Sequence, residues 1–277
     1  MRILPIIADK TLIAEVIDIL RDQYSYDFSG YAEASFKRRL ERFAEVSGIQ
    51  SGYELKFRLL NEPVLFHSFL EKITVNVTSM FRDPDFFRHL REDILPVLAA
   101  HPVIKIWHAG CATGQEVYSM CILLEEAGLL QRTYVYATDL NPGNIKTAKT
   151  GIMPLTVIRE YTENYLAAGG TREFSDYYTA NYGHAIINSS LLQKVTFSRH
   201  NLVAETSFNE FNLILCRNVM IYFARQQQDK VMGLLYESLA PGGFLGIGDK
   251  ESLVFSAYKD LLPRYIKTAK IYRRGMK

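Results

Sequence analysis

The stretch Ile104–Glu116, IKIWHAGCATGQE, decides the fold. It reads as a buried strand, a glycine-containing loop and the start of an amphipathic helix near Gln115. Gly110 and Gly114 would let the backbone approach a ligand where a Cβ atom would collide, and a helix N-terminus presents unpaired N–H groups. The pattern is typical of a nucleotide-type site at the end of a first strand. A tight strand-to-helix turn explains it too, because the GxGxxG spacing is absent.

Downstream of Pro102, apolar runs alternate with amphipathic stretches, as in a parallel sheet with crossover helices. The sequence predicts strands at 103–107, 134–138, 195–198, 212–216 and 244–247, with a closing strand pair in 264–274. A helix over 225–239 should end at Pro241-Gly242-Gly243, since proline cannot continue a helix. The turn-rich, β-prone residues at about 165–190 predict a small β insert.

The N-terminal part has a different pattern, with apolar residues at helical spacing from Thr11 to about Asn61. We therefore expect two domains, a helical domain with its linker over 1–90 and an α/β domain over 91–277. The second predicted helix carries a basic cluster, which is either a solvated helix face or a docking surface for an acidic partner helix. The cluster consists of Lys37, Arg38, Arg39 and Arg42.

Composition excludes several classes of protein. With 277 residues, 48% apolar and 22% charged, the chain is globular, and a net charge of +2 does not indicate nucleic-acid binding. Three cysteines without a CxxC pair or a histidine cluster predict neither disulfides nor a metal site, and fit a cytoplasmic protein. Neither a signal peptide nor a membrane-spanning helix is expected.

Polar residues follow the predicted strands at the edge where the glycine loop lies. Asp139 ends the second strand, where a carboxylate can accept hydrogen bonds from both ribose hydroxyls. Asn141 before Pro142 should cap the next helix, which leaves Asp139 freer for a ligand. The pairs Asn201-Leu202 and Arg217-Asn218 follow the next two strands.

These features distinguish a site for a dinucleotide from a site for S-adenosylmethionine. A dinucleotide needs a pyrophosphate cradle, whereas S-adenosylmethionine needs an acceptor for its ammonium group and a partner for its carboxylate. Glu116 in the loop and the missing third glycine favour S-adenosylmethionine. The Pro-Gly-Gly turn also resembles one common in Rossmann-like methyltransferases.

Upstream, residues 74–82 read TVNVTSMFR. If this segment is extended, its period of two places Asn76, Thr78 and Arg82 on one face together with Met80. The Arg82 guanidinium could then bind a carboxylate through two hydrogen bonds. Asp83 before Pro84 should cap a helix.

With these motifs, the sequence resembles the bacterial chemotaxis receptor methyltransferase (CheR) family over nearly its whole length. The resemblance lies in ITVNVTSMFRDPDFF, AGCATGQEVYS, ATDLN and, most distinctively, LILCRNVMIYF. The helix SFKRRLERF is similar to an arginine-rich helix of the family, and the β insert lies where the family carries a β-subdomain. Departures from the family pattern are Met80, Gln115 and Val117.

The resemblance implies a Rossmann-like (class I) methyltransferase sheet with helices on both faces, the β-subdomain and an N-terminal all-helical domain. It implies methyl transfer from S-adenosylmethionine to glutamates of chemotaxis receptors, without a metal. The cysteine usage predicts a cytoplasmic enzyme, and a monomer is the default expectation for its oligomeric state. The catalytic residues would be Arg82 and Tyr222, and the basic cluster would face the receptor. Cofactor contacts would fall on Asn76, Thr78, Arg82, Glu116, Asp139, Asn201, Leu202, Arg217 and Asn218.

Other functions are compatible with the fold. A non-catalytic S-adenosylmethionine-binding scaffold is one, although the retained Arg82, Glu116 and Asp139 argue against it. A small-molecule methyltransferase or a nucleotide-dependent oxidoreductase is another, and the helical N-terminal part and CRNVMIYF argue against both. His108 and Cys111 lie beside and within the glycine loop, but without further ligands we expect structural roles for both.

Overall fold

The computed structural model describes residues 6–24, 26, 28–73 and 78–276, apart from the side chains of His67 and Glu71. The chain forms two compact units, which we describe separately. The first comprises Met1–Val75 and Tyr222–Lys230, and the second comprises Asn76–Ile221 and Val231–Lys277. Asn76 lies outside the described residues. Within the described part of the chain, we find no helix with the length and apolarity needed to cross a lipid bilayer.

The first unit is helical, as the apolar spacing predicts. Phe36 and Phe43 are buried on one face of its second helix, and Phe43 packs edge-on against Phe69 with ring centroids 5.0 Å apart. This aromatic packing joins the second helix to the fourth and forms the core of the unit. Among the described residues, the helices that lie wholly within this unit are α1 Lys10–Tyr24, α2 Glu33–Val46, α3 Gly52–Asn61 and α4 Pro63–Ile73.

The second unit is built on a seven-stranded sheet. Its strands are β1 Ile104–Ala109, β2 Thr133–Asp139, β6 Val195–Arg199, β7 Phe211–Cys216, β8 Leu239–Ile247, β9 Arg264–Ile266 and β10 Ile271–Arg273. They lie in the order β6-β2-β1-β7-β8-β10-β9, and β10 is antiparallel to β8 and β9 whereas the other pairs are parallel. The carboxyl ends of the parallel strands therefore meet at one edge, as the predicted doubly wound sheet requires.

The helices of this unit precede β1 or lie in the connections between its strands, and residues 225–230 of the last one are grouped with the first unit. These helices are α5 Pro84–His89, α6 Leu95–Leu98, α7 Gln115–Glu126, α8 Pro142–Thr150, α9 Ile158–Ala167, α10 Ser189–Leu192 and α11 Arg225–Glu237. A π-helical turn, Leu90–Ile94, joins α5 to α6. Helix α7 is buried along nearly its whole length and packs in one apolar cluster with Ile104 and Ile106 of β1. This packing fixes the glycine loop between β1 and α7.

The β insert is a three-stranded antiparallel sheet in the order β3-β5-β4. Its strands are β3 Ile152–Pro154, β4 Tyr178–Asn181 and β5 His184–Ile187. The sequence interpretation placed the insert at about 165–190, but the sheet begins earlier, with β3. Three residues, of which one is proline, are too few to show an alternating pattern, so β3 left no recognisable signal.

The segment before α5 differs from the expected extended strand. Phe81 and Asp83 have positive φ values of 51° and 59°, and Met80 and Phe81 are both buried. A turn therefore replaces the alternation of two faces, and Phe81 packs edge-on against Phe87 of α5, with centroids 5.3 Å apart. Residues 78–90 therefore belong to the second unit, whereas the sequence analysis assigned them to the helical domain and its linker.

A buried carboxylate joins the insert region to the sheet domain. Glu126, at the end of α7, forms an ion pair with Arg91 (2.6 Å) and accepts hydrogen bonds from the hydroxyls of Tyr165 and Tyr177. Its side chain is only 5% exposed, and Arg91 is 19% exposed. Elements distant in sequence therefore meet at the Glu126 carboxylate. Its removal would leave the positive charge of Arg91 largely buried and without its carboxylate partner.

We predict that Glu126→Ala lowers the free energy of unfolding by about 3 kcal/mol, because it leaves an uncompensated charge in the protein interior. Urea denaturation followed by circular dichroism measures this loss. The matched control is Glu163→Ala, which breaks the exposed pair with Arg159 and should change the stability by less than about 0.5 kcal/mol. Equal effects of the two substitutions would contradict the assignment.

Candidate functional site

The glycine loop after β1 has a left-handed backbone at three positions. Gly110 and Gly114 have φ values of 86° and 96°, and Ala112, although not a glycine, has 47°. A Cβ atom on Gly110 would lie 2.4 Å from Val219 Cγ2, and one on Gly114 would lie 2.7 Å from the Tyr118 ring. The protein's own packing and the positive φ therefore require these glycines, and their role in admitting a ligand stays a prediction.

Asp139 lies at the tip of β2, where the sequence predicted a carboxylate facing a ligand. Its Oδ2 accepts the Ala112 N–H (2.9 Å), and its Oδ1 accepts the Asn141 N–H (2.9 Å) and the Asn144 side-chain amide (3.0 Å). Asn141 caps α8 as expected, accepting the Gly143 N–H. Asp139 is therefore less free than predicted, because it also fastens the glycine loop to β2.

Asp139 nevertheless keeps capacity for a ligand. It is half-buried, and a carboxylate offers about four lone-pair positions, of which the described part of the chain uses three. Burial raises the pKa of Asp139, although its hydrogen bonds with Asn141, Asn144 and Ala112 act in the opposite direction. A partly desolvated carboxylate with a vacant lone pair suits a ligand hydroxyl, which donates a hydrogen bond without adding charge.

Glu116, in the first turn of α7, is held from two sides. Its Oε1 lies 2.8 Å from His108 Nδ1, and its Oε2 accepts a hydrogen bond from Arg217 (3.1 Å). Burial raises the pKa of Glu116, but the contact with His108 and the charge of Arg217 outweigh burial and lower it overall. Glu116 is therefore an oriented carboxylate anion at neutral pH.

Arg217, which follows β7, is directed into the protein. Its guanidinium donates to Glu116, to the Arg82 carbonyl oxygen (3.1 Å) and to Asp83 Oδ2 (2.6 Å), and it lies 4.0 Å from the Phe86 ring centroid. Its side chain is 2% exposed. Arg217 therefore holds the Glu116 and Asp83 carboxylates and the Arg82 backbone together from within the protein. Asp83 precedes α5 but does not cap it with its side chain, contrary to the prediction, because its carboxylate pairs with Arg217.

Asn218 is the neighbouring site residue. It has a φ of 60°, and its backbone N–H donates to Glu251 Oε2 (3.0 Å). Glu251 is buried and also accepts backbone N–H groups of Val219, Met220 and Gly248. Sequence reasoning missed this anchor, since no motif marks an acid whose partner amides at 218–220 lie more than 30 residues away.

The remaining predicted contacts lie on two segments. Thr78 and Arg82 are half-buried before α5, and the Ser119 hydroxyl of α7 accepts the Phe81 N–H (2.9 Å), which ties this segment to the helix. After β6, Asn201 and Leu202 are both buried. The Asn201 side chain accepts the Val203 N–H (3.0 Å), so it shapes the turn in which Leu202 lies.

Backbone strain concentrates at this edge of the sheet. Among the described residues, the non-glycine positions with positive φ are Phe81, Asp83, Ala112, Tyr182 and Asn218. All except Tyr182, which lies in the β4–β5 turn, belong to the segments that carry predicted cofactor contacts. Such strain persists where the surrounding structure enforces it, and it is frequent at ligand sites. The residues present therefore fit an adenosine cofactor with a ribose and an amino group.

Tyr222 and the basic cluster of α2 lie in the first unit. The Tyr222 carbonyl oxygen accepts the Ala32 N–H (2.9 Å). The centroid of the Tyr222 ring lies 4.4 Å from the Arg39 guanidinium carbon. Arg39 also donates to the Ile73 carbonyl oxygen (2.5 Å) and is half-buried. The predicted pairing of Tyr222 with Arg82 in catalysis stays a prediction.

The basic cluster of α2 is divided by these contacts. Arg39 serves the interior of its own unit, whereas Arg38 and Arg42 are exposed. Arg42 pairs with Glu45 (2.6 Å), and Lys37 lies 3.8 Å from Glu41. Any docking surface on this helix therefore rests on Lys37, Arg38 and Arg42.

Comparison with known proteins identifies the family. Residues 76–265 match the model described as CheR methyltransferase, SAM binding domain, and residues 12–74 match the model described as CheR methyltransferase, all-alpha domain. The predicted family and fold class are thereby confirmed. The matched cofactor domain contains every predicted cofactor contact.

Relatives cover most of the chain. It is 47% identical to Cher3 of Pseudomonas putida over 260 residues, which cover 94% of this chain and 95% of the relative. It is 28% identical to the chemotaxis protein methyltransferase of Listeria monocytogenes over 238 residues (85% and 88%), and 34% identical to chemotaxis protein methyltransferase 1 of Vibrio cholerae over 196 residues (66% and 67%). With both domain models matched in chain order, this protein belongs to the CheR methyltransferase family.

Proposed function

We propose that this chain transfers a methyl group from S-adenosylmethionine to glutamate side chains of methyl-accepting chemotaxis receptors, in the cytoplasm. The products are glutamyl methyl esters and S-adenosylhomocysteine. The observation that carries the proposal is the pair of carboxylates at the carboxyl edge of the sheet, with Asp139 on β2 and Glu116 fixed by His108 and Arg217. The names of the Listeria and Vibrio relatives support a role in chemotaxis.

Each carboxylate has its own task. Asp139 would accept a hydrogen bond from one of the ribose hydroxyls, and the Glu116 anion would accept hydrogen bonds from the amino group of the cofactor. Arg82 would bind the cofactor carboxylate, with Asn76 and Thr78 beside it, as the resemblance implies. These groups hold the cofactor in one orientation before the substrate arrives.

The adenine would lie against the segment after β6. The buried Leu202 offers an apolar contact for the face of the base, and Asn201 lies beside it. Asn218 would contribute from the end of β7, where Glu251 fixes its backbone. Arg217 contributes through Glu116, since its guanidinium is directed to protein acceptors.

The chemistry requires little more than alignment. S-adenosylmethionine supplies a sulfonium methyl group, whose carbon forms a bond to a substrate carboxylate oxygen as its bond to sulfur breaks. A glutamate with an ordinary pKa of about 4.3 is already an anion at neutral pH, so no strong general base and no metal ion is needed. Orientation and exclusion of water from the attacking carboxylate provide the acceleration. Tyr222 would line this methyl-transfer position.

We predict that Asp139→Asn raises the Kd for S-adenosylhomocysteine about ten-fold, because it removes a charged acceptor for the ribose hydroxyls. Isothermal titration calorimetry measures the affinity. The control is Asp176→Asn, an exposed aspartate of the β insert, for which no change is expected. If Asp139→Asn bound S-adenosylhomocysteine as tightly as the wild type, the role of Asp139 would be refuted.

We predict that the methylated product is a base-labile ester. The enzyme is incubated with S-adenosylmethionine carrying a labelled methyl group and with the cytoplasmic helical domain of a chemotaxis receptor. The label should be released by mild alkali and should disappear when the acceptor glutamates are replaced by alanine. Base-stable label would contradict glutamate as the acceptor, and cofactor binding without label transfer would favour the scaffold.

We predict that reversing two charges with Arg38→Glu and Arg42→Glu raises the KM for the receptor several-fold and leaves the Kd for S-adenosylhomocysteine unchanged. Charged docking surfaces act chiefly on association, so the wild-type KM should also rise with salt. The matched control reverses Lys250 and Lys259, which are exposed elsewhere. An unchanged KM in the Arg38, Arg42 variant would mean that this helix face is only solvated.

A further inference from the structure

His108 is a buried titratable residue that neither the sequence interpretation nor the proposed chemistry uses. It lies on β1, two residues after Ile106, so their side chains share one face of the strand. It is fully buried, and its Nδ1 lies 2.8 Å from Glu116 Oε1. The expected structural role therefore needs revision, because the ring touches a carboxylate that belongs to the proposed cofactor site.

The contact fixes which ring nitrogen carries a proton. Glu116 is an anion and can only accept hydrogen bonds, so Nδ1 of His108 must donate. His108 Nε2 is buried and has no hydrogen-bond partner within the part of the chain that the structure describes. Burying an unpaired nitrogen is unfavourable, and a residue kept only for packing would avoid that penalty with an apolar side chain.

The two donors to Glu116 act together. His108 binds Oε1 and Arg217 binds Oε2, so the plane of the carboxylate is held at both ends. Each oxygen has two lone pairs, of which the described residues use one, and the side chain is 17% exposed. A fixed, partly exposed carboxylate is thus left with lone pairs directed away from both donors.

We propose that His108 is a positioning residue. Its Nδ1–H holds the Glu116 carboxylate in the orientation in which it accepts a hydrogen bond from the amino group of the cofactor. This inference rests on the proposed role of Glu116 and deepens it. Without the His108 donor, the carboxylate is held by Arg217 at one oxygen only and can rotate away. His108 would then affect cofactor affinity through Glu116 and not by its own contact.

The test compares three substitutions by calorimetric titration with S-adenosylhomocysteine. His108→Asn places an amide nitrogen the same number of bonds from the backbone as Nδ1, so it should bind within about three-fold of the wild type. His108→Gln moves the amide one bond further, and His108→Leu removes the donor. Both should raise the Kd about ten-fold, as expected for the loss of a hydrogen bond to a charged group.

A matched control separates this effect from a general loss of stability. Thr133 is fully buried at the opposite end of β2 and donates to the Leu129 carbonyl oxygen (2.8 Å). Thr133→Val should lower the melting temperature without changing the Kd. If His108→Leu does not fold, the comparison of His108→Asn with His108→Gln decides the matter alone.

The outcomes are distinguishable. Equal affinities in His108→Asn and His108→Gln, whether both retained or both lost, would overturn the positioning role. Glu116→Gln is titrated in parallel. If Glu116→Gln binds as tightly as the wild type, the proposed role of Glu116 itself fails; if only Glu116→Gln loses affinity, the inference about His108 fails and the role of Glu116 stands.

Discussion

The interactions of the Arg217 guanidinium are the constraint on which the candidate site depends. Arg217 joins Glu116, 101 residues away in sequence, to Asp83, 134 residues away, and also binds the Arg82 carbonyl oxygen. The end of β7 and the starts of α7 and α5 are thereby fixed at one point. Because its side chain is 2% exposed, these charges act where water screens them little. The parallel strands end at one edge of the sheet, and Arg217 brings the side chains of Glu116 and Asp83 together there.

Much of the fold could be predicted from local sequence pattern. The five parallel strands were located because most of them are apolar runs bounded by turn residues. The predicted start of the last one was wrong: β8 begins at Leu239, so Pro241-Gly242-Gly243 lies within the strand and not in a turn before it. An irregularity in its pairing with β7, with Gly242 at a φ of 78°, accommodates these residues. The loop after β1 and the tip of β2 were located because parallel strands end at one edge, so Asp139 and the glycine loop had to be neighbours. Their direct contact, through the Ala112 N–H, is what the structure adds.

The errors and omissions share a physical cause, which is that side-chain partners distant in sequence leave no local pattern. Asp83 before Pro84 has the signature of a helix cap, yet Arg217 is a stronger partner than the N–H groups of a six-residue helix. Arg39 belongs to a basic run by sequence, but its contacts with Tyr222 and Ile73 direct it inward. His108 and Glu251 lie outside any spacing rule, although both fix the groups that surround the site.

The central claim is that the carboxyl edge of the sheet binds the cofactor through Asp139 and through Glu116 as fixed by Arg217. A crystal structure of the protein with S-adenosylhomocysteine tests it most directly. We expect a ribose hydroxyl within hydrogen-bond distance of Asp139, the amino group of the ligand hydrogen-bonded to Glu116, and an unbroken contact between Glu116 and Arg217. A ligand that touches neither carboxylate, or that displaces Arg217 from Glu116, would contradict it.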